Sequence, residues 1–385
     1  MGDSATGELA GMRRRNLQRI VEAVRETPGL SQSDLAASTG LAVGAVSSLV
    51  NALIDAGVVS EESARSGRGR PRRLLRLDDR YADLVGVRIT RGGIDARSAT
   101  LSGRTLVGIR RPAIGPWSIA DAAATMLELV TRVTEGLRRP GAHPSIVISF
   151  PGVSADGLLS TSEFDWIDEQ EAELLEPLRA AGFAQIVIRN DGGLATLGEW
   201  RVGAARGHDN AIVILLGRGL GGSAVVDGHL LRGHGSPLGF GHVPIDPAGP
   251  ICVCGQRGCL EVFASLQSFA ALLGESERFS AMASIDYAVE LDRRAADGDA
   301  VVLEILASAR RRLREFGELV AALFLPEVVV LSGQSAAVVP WLLSDSVGMA
   351  AVPMVRGVLD ADAALVGAVL AAQELWMEDP ISFGG

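Results

Sequence analysis

Apolar residues recur at helical spacing three times within the first sixty residues. Over 13–26 they are Leu17, Ile20, Val21 and Val24, one face of an amphipathic helix, and Pro28-Gly29 stops it. Ser31-Gln32-Ser33-Asp34 opens a second helix with a capping-box-like start, followed by Leu35, Ala36 and Ala37. Thr39-Gly40-Leu41 is a short turn with Gly40 at its corner. A third helix is expected over 42–56, with Val46, Leu49, Val50, Leu53 and Ile54 facing inward. A short strand begins at Gly57, and Leu74, Leu75 and Leu77 form its return. This order predicts a winged helix-turn-helix over 12–77, preceded by a flexible N-terminus over 1–11. The third helix would enter a major groove.

From residue 82 the pattern changes to short apolar runs. Residues 84–90, 94–101 and 104–110 predict three successive strands, with Gly92-Gly93 and Ser102-Gly103 at the turns. A helix is expected over 118–137. A strand over 145–150 ends in Pro151-Gly152, and another over 185–189 ends in Asn190-Asp191. A helix over 193–205 and a glycine-rich strand pair over 211–227 follow. The pattern is then mostly helical until 328–331 returns as a buried strand ending at Ser332-Gly333. Antiparallel strands followed by helix–strand alternation, given twice, predict a two-lobed α/β body over 82–385 with a cleft between the lobes.

Charge separates the two parts. The chain of 385 residues carries a net charge of -10 and contains no lysine. Residues 1–77 hold 11 Arg against 8 acids, and the remainder holds 25 Arg against 38 acids. A basic head on an acidic body points to a polyanion as the partner of the head. From Arg65 to Arg76 there are six arginines and no acid. Arg68, Arg70 and Arg72 on this tip are candidates for phosphate or minor-groove contact. Ser47, Ser48 and Asn51 are the polar residues of the third helix expected to face bases or phosphates. A protein-interaction module with a solvated basic linker is the alternative reading of the same elements. At 48% hydrophobic and 21% charged residues the chain reads as globular. No run of about eighteen apolar residues exists to span a membrane, and the first twelve residues lack the basic start and apolar block of a signal peptide. A cytoplasmic protein is expected.

All three cysteines lie in Cys252-Val253-Cys254-Gly255-Gln256-Arg257-Gly258-Cys259-Leu260-Glu261, and His242 stands ten residues before the first. Three thiolates and an imidazole form a complete tetrahedral Zn²⁺ set, and Gly255 and Gly258 allow the turns that aim three sulfurs at one point. Four protein ligands leave no open position, so such a zinc is structural and pins a loop. Three core cysteines, or one disulfide with a leftover thiol, are the alternative. The clustering and the absence of any sign of an oxidising compartment weigh against it.

This block, Gly241-His242 before it and the winged head together resemble the ROK family of bacterial repressors and sugar kinases over almost the whole chain. The resemblance implies an actin-like, ribonuclease-H-like ATPase-type body with a sugar site between its lobes. It also implies dimers or tetramers built through that body. Members carrying the winged head are mostly sugar-responsive transcription regulators, and kinase members usually lack it. By the same resemblance Asn190-Asp191 is the pair at the cleft whose Asp acts as general base in the kinases, with Gly198-Glu199 at the family spacing. Asn190-Asp191 also suits a helix N-cap, and both roles can hold together. His242 would ligate zinc and offer its second nitrogen to a sugar hydroxyl. Glu261 matches a sugar-binding glutamate, and Gly152 a loop whose backbone lies against the sugar.

Four positions depart from the family pattern. Arg88 stands where the first phosphate loop has its metal-binding Asp, and Arg218 replaces the threonine of the second, Gly217-Arg218-Gly219-Leu220-Gly221-Gly222. A sugar-binding glutamate falls on Gly239 and, taking Trp166 as the loop tryptophan, an asparagine falls on Glu163. An arginine cannot replace a carboxylate that holds Mg²⁺, so phosphoryl transfer is expected to be lost, with Asp191 a vestigial base. The expectation is a homodimeric repressor on double-stranded operator DNA, released or retained by a sugar or related ligand in a cleft formed by Gly152, Asn190, Asp191, His242 and Glu261. A sugar kinase with an accessory DNA-binding head, and a DNA-binding protein with a vestigial or differently occupied cleft, are the competing readings.

Overall fold

The computed structural model describes residues 2–64, 72–113, 116–139, 142–233 and 239–378. The head comprises α1 (Gly2–Glu26), α2 (Gln32–Thr39), α3 (Val43–Asp55) and the wing strands β1 (Val59–Ala64) and β2 (Arg72–Leu77). The helix expected to begin at residue 13 runs from Gly2. The good helix formers Glu8, Leu9 and Ala10, with no proline among them, extend α1. The capping box at Ser31 is present: its hydroxyl accepts from the Asp34 N–H at 3.3 Å, and the Asp34 carboxylate accepts from the Ser31 N–H at 2.9 Å. Gly40, at φ 67°, ends α2 in the left-handed region and frees the chain to turn. The axes of α2 and α3 then meet at 118°, within the helix-turn-helix range.

The first lobe contains β3 (Leu84–Thr90), β4 (Gly93–Ala99), β5 (Thr105–Pro112), α4 (Ile119–Thr134) and β6 (Ser145–Phe150). A three-stranded meander, β7 (Val153–Ala155), β8 (Leu158–Thr161) and β9 (Trp166–Gln170), leads to α5 (Glu171–Ala180) and β10 (Ile186–Asn190). Its main sheet has the order β10-β6-β3-β4-β5, parallel across β10, β6 and β3 and antiparallel beyond. After α6 (Asp191–Val202) the second lobe begins with β11 (Ala211–Leu216), β12 (Leu220–Val226) and β13 (His229–Leu230). The metal segment leads into α7 (Glu261–Ala264), α8 (Leu266–Leu272), α9 (Ser276–Ser280), α10 (Ser284–Ala296) and α11 (Ala300–Phe324). The chain closes with β14 (Val328–Ser332), α12 (Val339–Leu342), β15 (Ser346–Val347), β16 (Val352–Arg356) and α13 (Ala363–Met377). The second sheet has the order β13-β12-β11-β14-β16-β15. Both lobes thus join an antiparallel hairpin to a parallel layer, as the repeated pattern predicted.

Helices α6 and α13 run between the two sheets, α6 on β11 and β12 and α13 on β3 and β6. Their close approach needs glycine: a Cβ at Gly367 of α13 would lie 1.8 Å from the Leu194 carbonyl of α6. The same α13 reaches the head. Leu17, Ile20 and Val21 of α1 share one core with Leu84, Ala368 and Trp376, and the Gln18 side chain donates to the Met377 carbonyl at 2.6 Å. Arg139, 7% exposed, pairs with Asp83 through two hydrogen bonds of 2.9 and 2.7 Å and also donates to the Gly57 carbonyl of the head. Head and body are therefore joined by a continuous hydrophobic core, which the change of pattern near residue 82 did not reveal. Among the described residues no single helix is long and apolar enough to cross a membrane.

Candidate effector cleft, metal loop and DNA-facing helix

The metal loop is built locally. Nδ1 of His242 lies 3.5 Å from Cys252 Sγ, the sulfurs of Cys254 and Cys259 are 3.6 Å apart, and all four donor atoms lie within 4.8 Å of one another. Gly255 and Gly258 have φ of 87° and 64°. A Cβ at Gly258 would lie 1.6 Å from the Asp246 carbonyl oxygen, so the loop passes only with glycine there. Burial and the adjacent sulfurs push the Cys259 thiol up to about 12. The Cys252 and Cys259 thiols resist ionising alone, and a divalent cation reverses that balance. The four groups can hold one metal ion.

The second residue after the last cysteine ties this loop to the cleft. Glu261 Oε2 accepts from the Leu220 N–H at 3.0 Å, holding the hairpin Gly217-Arg218-Gly219 against α7. Asn190 caps α6, accepting from the Gly193 N–H at 3.2 Å, while its amide donates to the Gly152 carbonyl at 3.0 Å. Two of the expected ligand residues are thereby joined. Asp191 follows, with its carboxylate accepting from the Gly192 N–H at 2.8 Å. Burial in the cleft, reinforced by the like charge of Glu163, pushes Asp191 up to about 7. Burial also raises Glu163, which accepts from the Arg91 N–H at 3.1 Å. Glu163 is electrostatically coupled to Asp191, Glu261, Arg91 and Arg218, so the structure gathers these charges in one cleft. His242 keeps one nitrogen toward the metal set and has no described hydrogen bond to the other expected ligand residues.

Glu199 has a different task. Buried within α6, it accepts from Ser332 Oγ at 2.7 Å and from the N–H groups of Ala204, Leu359 and Val358 at 2.8, 3.0 and 3.2 Å. It braces α6 against β14 and the turn that precedes α13. Trp166 is a core residue, stacked on Phe150 at 5.9 Å and donating to the Trp117 carbonyl at 2.9 Å.

The two arginines of the phosphate loops have unlike surroundings. Arg88 makes a buried ion pair with Asp95 on β4, at 2.9 and 3.3 Å, and donates across the cleft to the Ala361 carbonyl just before α13. Arg218 lies over the Phe279 ring with its guanidinium carbon 4.0 Å from the centroid, and donates to Gln267 Oε1 at 3.4 Å and to the Phe279 carbonyl at 3.2 Å.

On the head, Ser48 and Asn51 of α3 are exposed and Ser47 is half-buried, on the side away from Val46, Leu49, Val50 and Leu53. Arg72 is exposed and pairs with Asp34 at 3.1 Å. Arg68 and Arg70 lie outside the described residues. The sequence reading passed over Val43, 64% exposed at the first turn of α3, whose position off the inward stripe was the available signal. It also passed over Arg91 and Arg110, which border the cleft beside Arg88. Only the Arg91-Gly92-Gly93 turn after β3 hinted at them.

The ROK family pattern matches residues 114–373. The chain belongs to the ROK family. A winged helix-turn-helix DNA-binding pattern matches residues 13–60, and the ROK body accordingly carries a DNA-binding head. The DNA-binding transcriptional repressor Mlc of Escherichia coli is 24% identical over 92% of this chain and 90% of its own length. A glucokinase of Streptomyces coelicolor is 34% identical over 48% of this chain and 55% of its own, so that similarity spans about half of each protein. Among solved structures, a ROK family transcriptional regulator homologous to Mlc superposes with a TM-score of 0.75 at 23% identity, covering 95% of this chain and 97% of that one. A ROK family glucokinase from Streptomyces griseus, in complex with glucose and AMPPNP, superposes with a TM-score of 0.58 at 25% identity over 76% of this chain and 99% of its own. The two-lobed ROK fold is thus shared with kinases, and the headed architecture with a regulator.

Proposed function

We propose that this ROK protein is a cytoplasmic, homodimeric transcriptional repressor. Its α3 helices bind two half-sites of an operator, and its cleft senses a sugar or related small ligand without phosphorylating it. The observation that carries the reading is a helix-turn-helix joined through one continuous core to a ROK body whose first phosphate loop holds the Arg88–Asp95 ion pair. Relatives named as repressors support it, Mlc over almost the full chain and the xylose repressor of Bacillus subtilis, 27% identical, over 68% of it. Ser47, Ser48 and Asn51 would read bases or phosphates. Val43 would offer methyl groups to thymine, and Arg72 would contact the backbone with Arg68 and Arg70.

Gly152, Asn190, Asp191 and Glu261 would line the effector site. Zn²⁺ suits three sulfurs and one imidazole nitrogen, and with His242, Cys252, Cys254 and Cys259 as ligands it would hold Glu261 and the Arg218 hairpin in place. Closure of the lobes would move α13, which meets the cleft through Ala361 in the turn just before it and the head through Met377. Coupling then requires that effector bind the DNA-free arrangement more tightly than the DNA-bound one.

Fluorescence anisotropy of the full chain on DNA from upstream of its own gene, titrated with a sugar panel, tests the reading. Release by one compound is expected, and absence of specific DNA binding would overturn it. The competing reading, a kinase with a DNA-binding head, draws on Asp191, whose carboxyl near neutrality suits a general base. Hexose-dependent ADP release abolished by Asp191→Asn would establish it.

A further inference from the structure

The DNA-facing helix α3 ends in a closed turn that the body grips. The Gly57 N–H donates to the Ile54 carbonyl at 2.8 Å and the Val58 N–H to the Leu53 carbonyl at 2.8 Å, with Gly57 in the left-handed region at φ 66°. This is the pairing of a Schellman motif. It leaves the Gly57 carbonyl free for the body, and Nη1 of Arg139 donates to it. The same guanidinium is held on its other edge. Its Nε and Nη2 meet the two oxygens of Asp83 at 2.9 and 2.7 Å, and its carbon lies 4.6 Å from the centroid of the Tyr81 ring. Asp83 belongs to the first lobe: its carbonyl accepts from the Ser145 N–H of β6 at 2.9 Å, and Leu84 beside it opens β3.

A buried ion pair is weak evidence for stability, because apolar residues of the same volume often serve as well. A planar fork of donors supplies direction instead. The core that α1 shares with Leu84, Ala368 and Trp376 holds the head on the body, but burial of apolar surface is non-directional. Gln18 ties α1 to Met377, whereas Arg139 ties the end of α3 itself. The lever is long. With 13 residues, α3 measures about 20 Å, and a pivot of roughly 10° at Gly57 would carry its front by about 3 Å, close to the rise of one base pair.

We infer that Arg139 sets the angle of α3 against the body, and through it the spacing between half-sites that the protein accepts. This rests on the reading of the chain as a homodimer on two half-sites and deepens it, by naming a residue that determines which operators fit. Arg139 is buried and acts through the Gly57 carbonyl, as a positioning residue. Two half-sites have to be met together, and a head turned off its mark loses the second one.

The test selects binding sites for the full chain from random-sequence duplex DNA. Anisotropy is then measured on the selected pair of half-sites with one base pair added or removed between them. Wild type is expected to lose about tenfold or more in affinity with either change. Arg139→Gln is expected to select the same half-site sequence but to lose only about threefold or less. Arg139→Lys keeps the charge without the fork and is expected to resemble Arg139→Gln. Gly57→Ala separates direction from ion pairing: its Cβ would stand 3.2 Å from Arg139 Nη1, pressing the guanidinium off the carbonyl while Asp83 keeps its partner. It too is expected to relax the spacing. Gly40→Ala carries the same left-handed strain, at φ 67°, with nothing within 4 Å of its Cβ, and is expected to keep the wild-type preference. A cooperatively folded Arg139→Gln with the wild-type preference overturns the inference. If Arg139→Gln fails to fold, equal preferences in Gly57→Ala and Gly40→Ala overturn it. Selection by wild type of single half-sites, or of pairs at no fixed spacing, overturns the two-half-site reading and this inference with it, whereas an unaltered preference in the variants overturns the inference alone.

Discussion

On one side of the cleft, His242 and three cysteines bring four metal-binding atoms within 4.8 Å of one another. At the two phosphate loops, one in each lobe, Arg88 and Arg218 stand where ROK kinases are expected to hold phosphate and metal, one paired with Asp95 and the other hydrogen-bonded to neutral groups. The metal donors come from one short loop, closed by Gly255 and Gly258. Arg88 comes from β3 and Arg218 from the turn between β11 and β12, and each has the charge environment that the fold brings to it. Sites made from one stretch of chain inherit their chemistry from the motif. Sites made across lobes inherit it from the packing, so the same residue type is ion-paired in one place and held by neutral groups in the other.

This contrast can be broken or sharpened by measurement. The largest effect is expected at the metal loop. Cys259→Ser removes a buried ligand, and with it metal binding that doubles as folding energy. The unfolding midpoint should fall by roughly 10 °C or more, and atomic emission should find bound zinc lost. A wild-type chain without stoichiometric metal would undo the comparison at its root.

Next is the joint between head and body. Arg139→Ala strands the Asp83 carboxyl, 4% exposed, which burial already raises above the ordinary range. Breaking such a pair costs about 3–5 kcal/mol. Denaturant unfolding should show this loss, and limited proteolysis should cut between residues 57 and 84 more readily than in wild type.

Asp191 supplies a pH test of the cleft. Its carboxyl is pushed up to about 7 in the fold, against about 4 when unfolded. Below pH 4 both states are protonated and the contribution is fully present. As the pH rises to 7 only the unfolded state ionises, and up to about 4 kcal/mol is lost. Asp191→Asn should therefore flatten the stability profile between pH 4 and 7. A profile unchanged by the substitution would mean that Asp191 is not buried against Glu163.

The smallest effects are expected on the head. Asn51→Ala should weaken operator binding by about 1–3 kcal/mol and relax specificity at one base position. Arg72→Ala, exposed and paired only with Asp34, should weaken all DNA about equally and reduce the salt slope by about one. Anisotropy across salt concentrations separates the two.

Much of the fold was legible because it is local. Helical spacing, the Ser31 capping box, Gly40 and the strand-ending Asn190-Asp191 each act within a few residues, and the structure places them as read. The cysteine block announced its cluster for the same reason. Three things were not marked locally. The start of α1 at Gly2 had no cap or breaker to mark it. The shared core of α1 with Trp376 joins segments 350 residues distant, and no periodicity records which apolar face meets which. The role of Glu199 as a brace came from four donors supplied by three separate segments.

The sequence by itself determined a basic helix-turn-helix, two α/β lobes and a cysteine–histidine loop able to hold a metal, because each is a statement about neighbours in the chain. Only the tertiary structure decided that Arg88 is paired with Asp95, that Arg218 is hydrogen-bonded to neutral groups, and that α13 packs between the sheets and meets the head. Burial and pairing fix the meaning of a charge, and both arise when distant segments close upon each other.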